Sequence, residues 1–397
     1  MIARIPRARA EAPQAYARTG AGEGPDRVRL VGDPVPIGDY GATLLLDLDG
    51  GRVLPEDVMR AEKTWRRHLG VDTIAWEPVN TRTLRLHAYL THPLDRLVQW
   101  SELTLAQGVR DRAPMGVTAI PGRQAIWHWR VSQLVTGASG SGKTMVVRSM
   151  LHGLVVQQVP VRLWLVDNKG DFVAWSGEPG LGGYAMDHGS CVDLLDRFAA
   201  LVDQRYARRS KWTGGDYARV PTLWDPADVL VAGELLWLLD EGSKEQNSRA
   251  QHAVTVITAR GREAAASMIA TAQTATKSQS ERLAAVRDLF PGRVLTRVPN
   301  ASMVGPALGV PAEFAPAHRI PELLEGAGYY LDPTTGYPLL FRSAYTPWQD
   351  QALLSAQLGI AHVAMPDPDA DEDEPPRLRA VDHSGTRNTR STRRNRA

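Results

Sequence analysis

Eight residues carry the clearest chemistry in this chain: Gly137, Ala138, Ser139, Gly140, Ser141, Gly142, Lys143 and Thr144. Their order matches G-x-x-x-x-G-K-[ST], the spacing of a phosphate-binding loop. The match stands where such a loop must lie. The apolar run Val131–Thr136 precedes it, and a helical pattern running to about Val156 follows. Amide N–H groups of the loop and of the helix N-terminus can then wrap phosphate oxygens. Lys143 would reach the β and γ phosphates, and the Thr144 hydroxyl would ligate Mg²⁺. Ser139 and Ser141 belong to this loop, which argues against either as a nucleophile.

Such a loop needs an acidic partner. Leu235-Leu-Trp-Leu-Leu is followed by Asp240 and Glu241. Read as a strand, the run puts Asp240 at a C-terminal sheet edge beside the loop. There Asp240 would hold Mg²⁺ through water, and Glu241 would orient the attacking water. The same acid pair also suits a helix N-cap. Gln273 ends the short apolar run Ser267–Ala272 and suits a γ-phosphate sensor, although a surface glutamine reads as simply. Arg262 (with Arg260) before that run, and Arg297 at the end of a later one, are candidates for a finger acting on a neighbouring subunit's γ-phosphate. Asp167 and Lys169 end the strand after the loop's helix, as part of the site or as a plain turn. The ten histidines show no paired metal-ligand spacing.

These residues must be placed by a frame. From Pro114 onward, strands and helices alternate. Expected strands are 161–166, 235–239, 267–271 and 293–298, with helices at 192–209 and 244–262. A hairpin-like pair, 328–331 and 339–342, closes the pattern. Alternation of this kind predicts a mostly parallel sheet covered on both faces. Residues 31–112 read as a separate small α/β unit. Its parts are a strand at 41–49 turning at Gly50-Gly51, a helix from Pro55 to Leu69 stopped by Gly70, and two strands at 73–77 and 83–90. Residues 1–30 read as a flexible arm. Residues 351–397 read as a helix and a disordered tail, acidic from Asp367 to Glu374 and then arginine-rich.

Composition excludes several classes. The chain has 397 residues with 46 basic and 44 acidic side chains, so it is not histone-like. A local basic face remains compatible with nucleic-acid binding. One cysteine, Cys191, excludes a disulfide framework and a cysteine-based zinc site. No apolar run reaches membrane-span length. Only six lysines stand against forty arginines, so each lysine merits attention.

The pieces, in this order, resemble the FtsK/SpoIIIE family of DNA-translocating ATPases over about residues 35–350. Pro114-Met-Gly-Val and Pro121-Gly-Arg look like the family's approach to its phosphate-loop strand. VRLWLVDNKG (161–170) is similar to its strand ending in Asp-x-Lys. LVDQRYARRS (201–210) resembles its helix with Arg-Tyr, here Arg205-Tyr206. Arg262 to Gln273 resembles its Arg-x-x-Gly…Ala-Thr-Gln, with Ala265 where Gly is usual and Ala272 where Thr is usual. GRVLTRV (292–298), Gly326-Ala-Gly328 through Arg342, and Trp348-Gln-Asp350 look like its closing strands and exit.

The resemblance implies a RecA-like P-loop ATPase core at 113–350, a small N-terminal α/β domain at 31–112, and disordered termini. It implies ATP and Mg²⁺ as cofactors, double-stranded DNA as cargo, and self-assembly into a ring, expected to be a hexamer. Without a winged-helix segment after residue 350 or membrane spans before the motor, the chain looks most like the transfer proteins of actinomycete conjugative elements. That points to the cytoplasm, with peripheral attachment at the inner face of the membrane through the basic tail or a membrane-associated partner protein. Two rivals share the fold class: a protein-secretion ATPase and a single-stranded DNA coupling protein.

Overall fold

The computed structural model describes residues 28–48, 53–103, 111–156, 161–176, 181–213, 227–273, 280–332 and 335–346. The Gly50-Gly51 turn, nearly all of the N-terminal arm, the Trp348–Asp350 exit and the charged tail lie outside them.

The N-terminal unit is a four-stranded sheet in the order β1-β2-β4-β3. Its strands are β1 (Arg29–Ile37), β2 (Gly41–Asp47), β3 (Thr73–Asn80) and β4 (Thr83–Tyr89). Every pair is antiparallel. β1 lies almost wholly inside the small unit expected at 31–112, where the sequence marks no strand before residue 41. Its two prolines, Pro34 and Pro36, suit an edge strand, where a missing ladder donor costs little. The expected single helix is two, α1 (Pro55–Arg60) and α2 (Glu62–Leu69), broken at Ala61. Gly70, at φ +65°, ends α2 in the left-handed conformation that glycine adopts without penalty. Trp65, Leu44, Leu46, Leu84 and Leu86 fill the core between helices and sheet.

The larger unit is a ten-stranded sheet in the order β6-β5-β14-β13-β12-β7-β11-β10-β8-β9. Its strands are β5 (Arg112–Thr118), β6 (Gln124–His128), β7 (Gln133–Thr136), β8 (Val161–Val166), β9 (Gly183–Ala185), β10 (Ala227–Ala232), β11 (Ala266–Ala272), β12 (Gly292–Thr296), β13 (Ala327–Leu331) and β14 (Pro338–Ser343). From β12 to β9 the neighbours are parallel, and from β12 to β6 antiparallel. Helices α3 (Lys143–Val156), α4 (His188–Thr213), α5 (Leu235–Asp240), α6 (Lys244–Arg260), α7 (Glu281–Arg287) and α8 (Val304–Leu308) complete the chain. Successive residues of β8 face opposite ways, as strand geometry requires. Leu163 and Leu165 join the core under α3, whereas Trp164 and Val166 join the core under α4, α5 and α6.

One element corrects the sequence expectation. Leu235–Leu239 is the body of helix α5, and the strand is the preceding Ala227–Ala232. A run of five apolar residues has no readable period. Folded, it buries Leu235, Leu238 and Leu239 and leaves Leu236 and Trp237 partly exposed, the i, i+3, i+4 pattern of a helix.

Near its N-terminal end, β10 carries Asp228, its second residue, which is fully buried. Its carboxylate accepts from Arg162 Nε (2.6 Å), Arg205 Nη2 (2.6 Å) and Trp164 Nε1 (2.6 Å), joining β8, β10 and α4. Removing the carboxylate from between two buried guanidiniums is expensive. Asp228→Ala is expected to lower unfolding free energy by about 3–5 kcal/mol in urea titrations. A loss below about 1 kcal/mol would show that the pair is solvated.

Candidate active site

The parallel strands deliver their C-terminal ends to one edge, and the phosphate-type loop follows β7 there. Gly140 and Gly142 have φ of +69° and +86°, which explains glycine at both positions. The loop is pinned by its neighbours. Ala138 N donates to Arg297 O (2.8 Å), Gly326 N to Ser141 O (3.1 Å), and the Ser141 and Thr296 hydroxyls pair at 2.6 Å. A Cβ at Gly142 would overlap the Gly326 amide, and one at Gly137 would overlap the Thr296 hydroxyl. The first helical hydrogen bond after the loop runs from Val146 N to Gly142 O (3.0 Å). The amides of Lys143, Thr144 and Met145 therefore precede the ladder and lie at the positive end of α3.

Lys143 lies across this loop. Its Nζ donates to Gly137 O (2.9 Å) and Ala138 O (2.8 Å). Burial lowers the Lys143 ammonium to about 8; Glu234 and Asp171 oppose the shift, and Lys169 adds to it. These three charges, rather than Asp240 or Glu241, are the ones that act on Lys143. Thr144 Oγ1 donates to Asp171 Oδ2 at 3.1 Å. Asp171 is held by Asp167, whose buried carboxylate accepts from the amides of Asp171 (2.9 Å) and Phe172 (2.8 Å) and from the Tyr184 hydroxyl (3.1 Å). Asp167 thus shapes the turn, and Lys169 belongs to the site.

The acid that β10 sends to this edge is Glu234, two residues past the strand and 6% exposed. Its carboxylate accepts from Lys169 Nζ (2.9 Å) and from the Gln273 amide (3.3 Å). Sequence reading passed over it. The signal was present in Ala227–Ala232, a strand closed by Gly233-Glu234, but the greasier run that follows drew attention. Asp240 instead ends α5 and accepts from Arg282 Nη1 (3.2 Å), while Glu241 is an exposed helix cap.

Gln273 follows β11, which lies between β7 and β10, so the loop, Glu234 and Gln273 share one edge. Arg297 follows β12 at that same edge, and its Nη2 donates to Glu322 (2.9 Å). Arg262 is exposed and precedes β11, at the opposite edge, about 23 Å away along a seven-residue strand. Between Arg262 and that strand stands Ala265, the one non-glycine at positive φ (+48°) among the described residues. Its left-handed backbone accounts for the glycine usual there in the family it resembles.

The loop geometry orders two substitutions. Gly140→Ala faces open space and is expected to lower stability by about 1–2 kcal/mol through its backbone alone. Gly142→Ala should cost distinctly more, because the Gly326 backbone must also move. Chemical unfolding of both variants checks the ranking, and equal losses would contradict it.

No protein-family model matches the sequence, and no curated protein matches it. Solved structures do. The conjugation coupling protein TcpA of pCW3, in its monomer form with ATPγS, superposes with TM-score 0.56 at 14% identity, covering 88% of this chain and 98% of that one. ATPases 2 and 3 of EssC from Geobacillus thermodenitrificans give TM-score 0.52 at 11% identity over 68% of this chain and 51% of theirs. ATPases 2 and 3 of EccC from Thermomonospora curvata, in complex with a signal sequence peptide, give 0.50 at 16% over 74% and 48%. The chain spans about half the length of the last two. Identity this low speaks for fold alone, and with the loop and the sheet order it establishes that fold: a RecA-like P-loop α/β core with a large, mostly parallel sheet, joined to a small antiparallel sheet unit.

Proposed function

We propose that the protein is a Mg²⁺-dependent ATPase that drives double-stranded DNA through a ring of its own copies, a hexamer, for conjugative transfer. The observation that carries the ATPase part is the convergence of Lys143, Thr144, Glu234 and Gln273 on one sheet edge. The likeness over nearly the full length of a conjugation coupling protein favours DNA as cargo. Such a motor grips phosphates, so its DNA affinity should depend on salt and little on base sequence.

The residues divide the work. The loop 137–144 would take the β and γ phosphates with its amides, and Lys143 would turn from the Gly137 and Ala138 carbonyls onto them. The Thr144 hydroxyl is a hard oxygen of the kind that would hold Mg²⁺, whose charge would offset that on the phosphate. Glu234 would orient and deprotonate the attacking water once Lys169 releases it. Gln273 would sense the γ-phosphate. This reading moves the water-activating role from Glu241, and the acidic strand-end position from Asp240, to Glu234. Arg297, at the P-loop edge, is the favoured finger toward a neighbour. Arg262 could act only across a subunit boundary.

A second reading has one observation in its favour. A neighbour of similar fold binds a signal sequence peptide, so a polypeptide cargo is the alternative. Among the described residues no helix is long and apolar enough to cross a membrane. Attachment at the inner membrane face, if it occurs, would run through the basic tail or a partner protein.

Steady-state ATPase assays with Mg²⁺ and long duplex DNA, single-stranded DNA or no DNA test the cargo. Strong duplex stimulation, lost in Lys143→Ala, is expected; a rate indifferent to DNA would favour polypeptide. Glu234→Gln should lower turnover about a hundredfold or more while keeping nucleotide binding. Asp240→Asn and Glu241→Gln should stay within about threefold of the parent, the size of a surface change. The pH profile follows from Lys143. Phosphate binding favours the ammonium, so ATP affinity should be flat below pH about 8, where the free site is already protonated. Above it, affinity should fall by up to about tenfold per unit. Binding isotherms from pH 6.5 to 9.5 check this, and an affinity constant to pH 9.5 contradicts it.

A further inference from the structure

The acid that β10 sends to the loop's edge already has partners. β10 ends at Ala232, the next residue is Gly233, and Glu234 is engaged with Lys169 and the Gln273 amide. Asp167 is 1% exposed and receives three donors. Asp240 lies on α5, paired with Arg282. One acid touches the hydroxyl that Mg²⁺ requires: Asp171, whose Oδ2 stands 3.1 Å from Thr144 Oγ1.

We propose that Asp171, in the turn after β8, supplies the carboxylate for the cation that accompanies the nucleotide, with Thr144 as its partner ligand. This rests on the nucleotide-binding reading above. The spacing suits the role. Mg²⁺ holds oxygens at about 2.0–2.1 Å in an octahedron, so two adjacent ligands lie about 2.9 Å apart. The observed 3.1 Å is close to that edge. One carboxylate and one hydroxyl, with the remaining positions left to phosphate and water, is also the sparse protein share typical of Mg²⁺ at nucleotide sites.

The turn holds Asp171 still. Asp167 fixes its amide, and Arg148 of α3 donates to its carbonyl at 3.1 Å. The backbone is therefore clamped from two sides while the carboxylate faces Thr144. The two acids of the site then have separate tasks. Asp171 serves the cation on the Thr144 side, and Glu234 serves the water on the Gln273 side.

The test uses the full chain and a fluorescent ATP analogue, titrated in EDTA and in increasing Mg²⁺. The parent should bind the analogue more tightly as Mg²⁺ rises. Asp171→Asn should keep its affinity in EDTA within about threefold and need at least about tenfold more Mg²⁺ for half the enhancement. Asp240→Asn should follow the parent. Asp171→Cys adds a readout that a structural role would not move: a thiolate prefers softer cations, so Mn²⁺ or Cd²⁺ should restore the enhancement that Mg²⁺ does not. Parental Mg²⁺ dependence in folded Asp171→Asn, or no cation preference in Asp171→Cys, overturns the proposal. A parent that binds no analogue with or without metal overturns the nucleotide reading, and this proposal with it.

Discussion

The loop's edge of the sheet depends on backbone packed against backbone. The loop between β7 and α3 has few side chains of its own with which to hold a shape. It is held from outside by Thr296, Arg297 and Gly326, at the ends of the two neighbouring strands. Glycine is needed at 142 because a Cβ there would overlap the Gly326 backbone, and at 326 because a Cβ there would overlap the Ser343 hydroxyl. The parallel sheet supplies this arrangement, since it brings the ends of β7, β12, β11 and β10 to one edge. Lys143, Thr144, Glu234 and Gln273 meet there although they are as much as 130 positions apart in the chain.

Strand β10 carries acids at both ends, and their surroundings set opposite roles. Asp228 is sealed among two guanidiniums and an indole, so it is part of the framework. Glu234 is also buried, but its cation partner, Lys169, is 42% exposed. An ion pair with one partner in water is weak and exchanges readily. The same strand therefore anchors the fold at one end and presents a releasable carboxylate at the other.

Much of this was legible in the sequence. The loop motif, β8, α3, β11 and β12 follow from apolar runs bounded by clear breaks. Pro55 and Gly70 likewise mark the start and the stop of the helical segment in the small unit. The acidic strand was not legible, because Leu235–Leu239 is more apolar than Ala227–Ala232 and a five-residue run cannot be assigned by period. That one shift in position moved the acid from Glu234 to Asp240 and Glu241. Asp171 gave no signal, because its importance lies in a contact with Thr144 across 27 positions. The antiparallel hairpin β5–β6 was also missed, since β5 carries Pro114 and Gly116 at its register shift.

Three consecutive residues of β12 and its exit tie two parts of the molecule into one body. Leu295 belongs to the buried cluster that also holds Ala75, Tyr89 and Leu94 of the small domain. Thr296 bonds to the phosphate loop, and the Arg297 carbonyl takes the amide of Ala138. Neighbouring side chains of a strand point to opposite faces, so the small domain and the loop grip one stretch of chain from two sides. A rigid strand this short acts as a lever without slack. A shift of the loop would therefore bear on the same three residues that border the small domain's core.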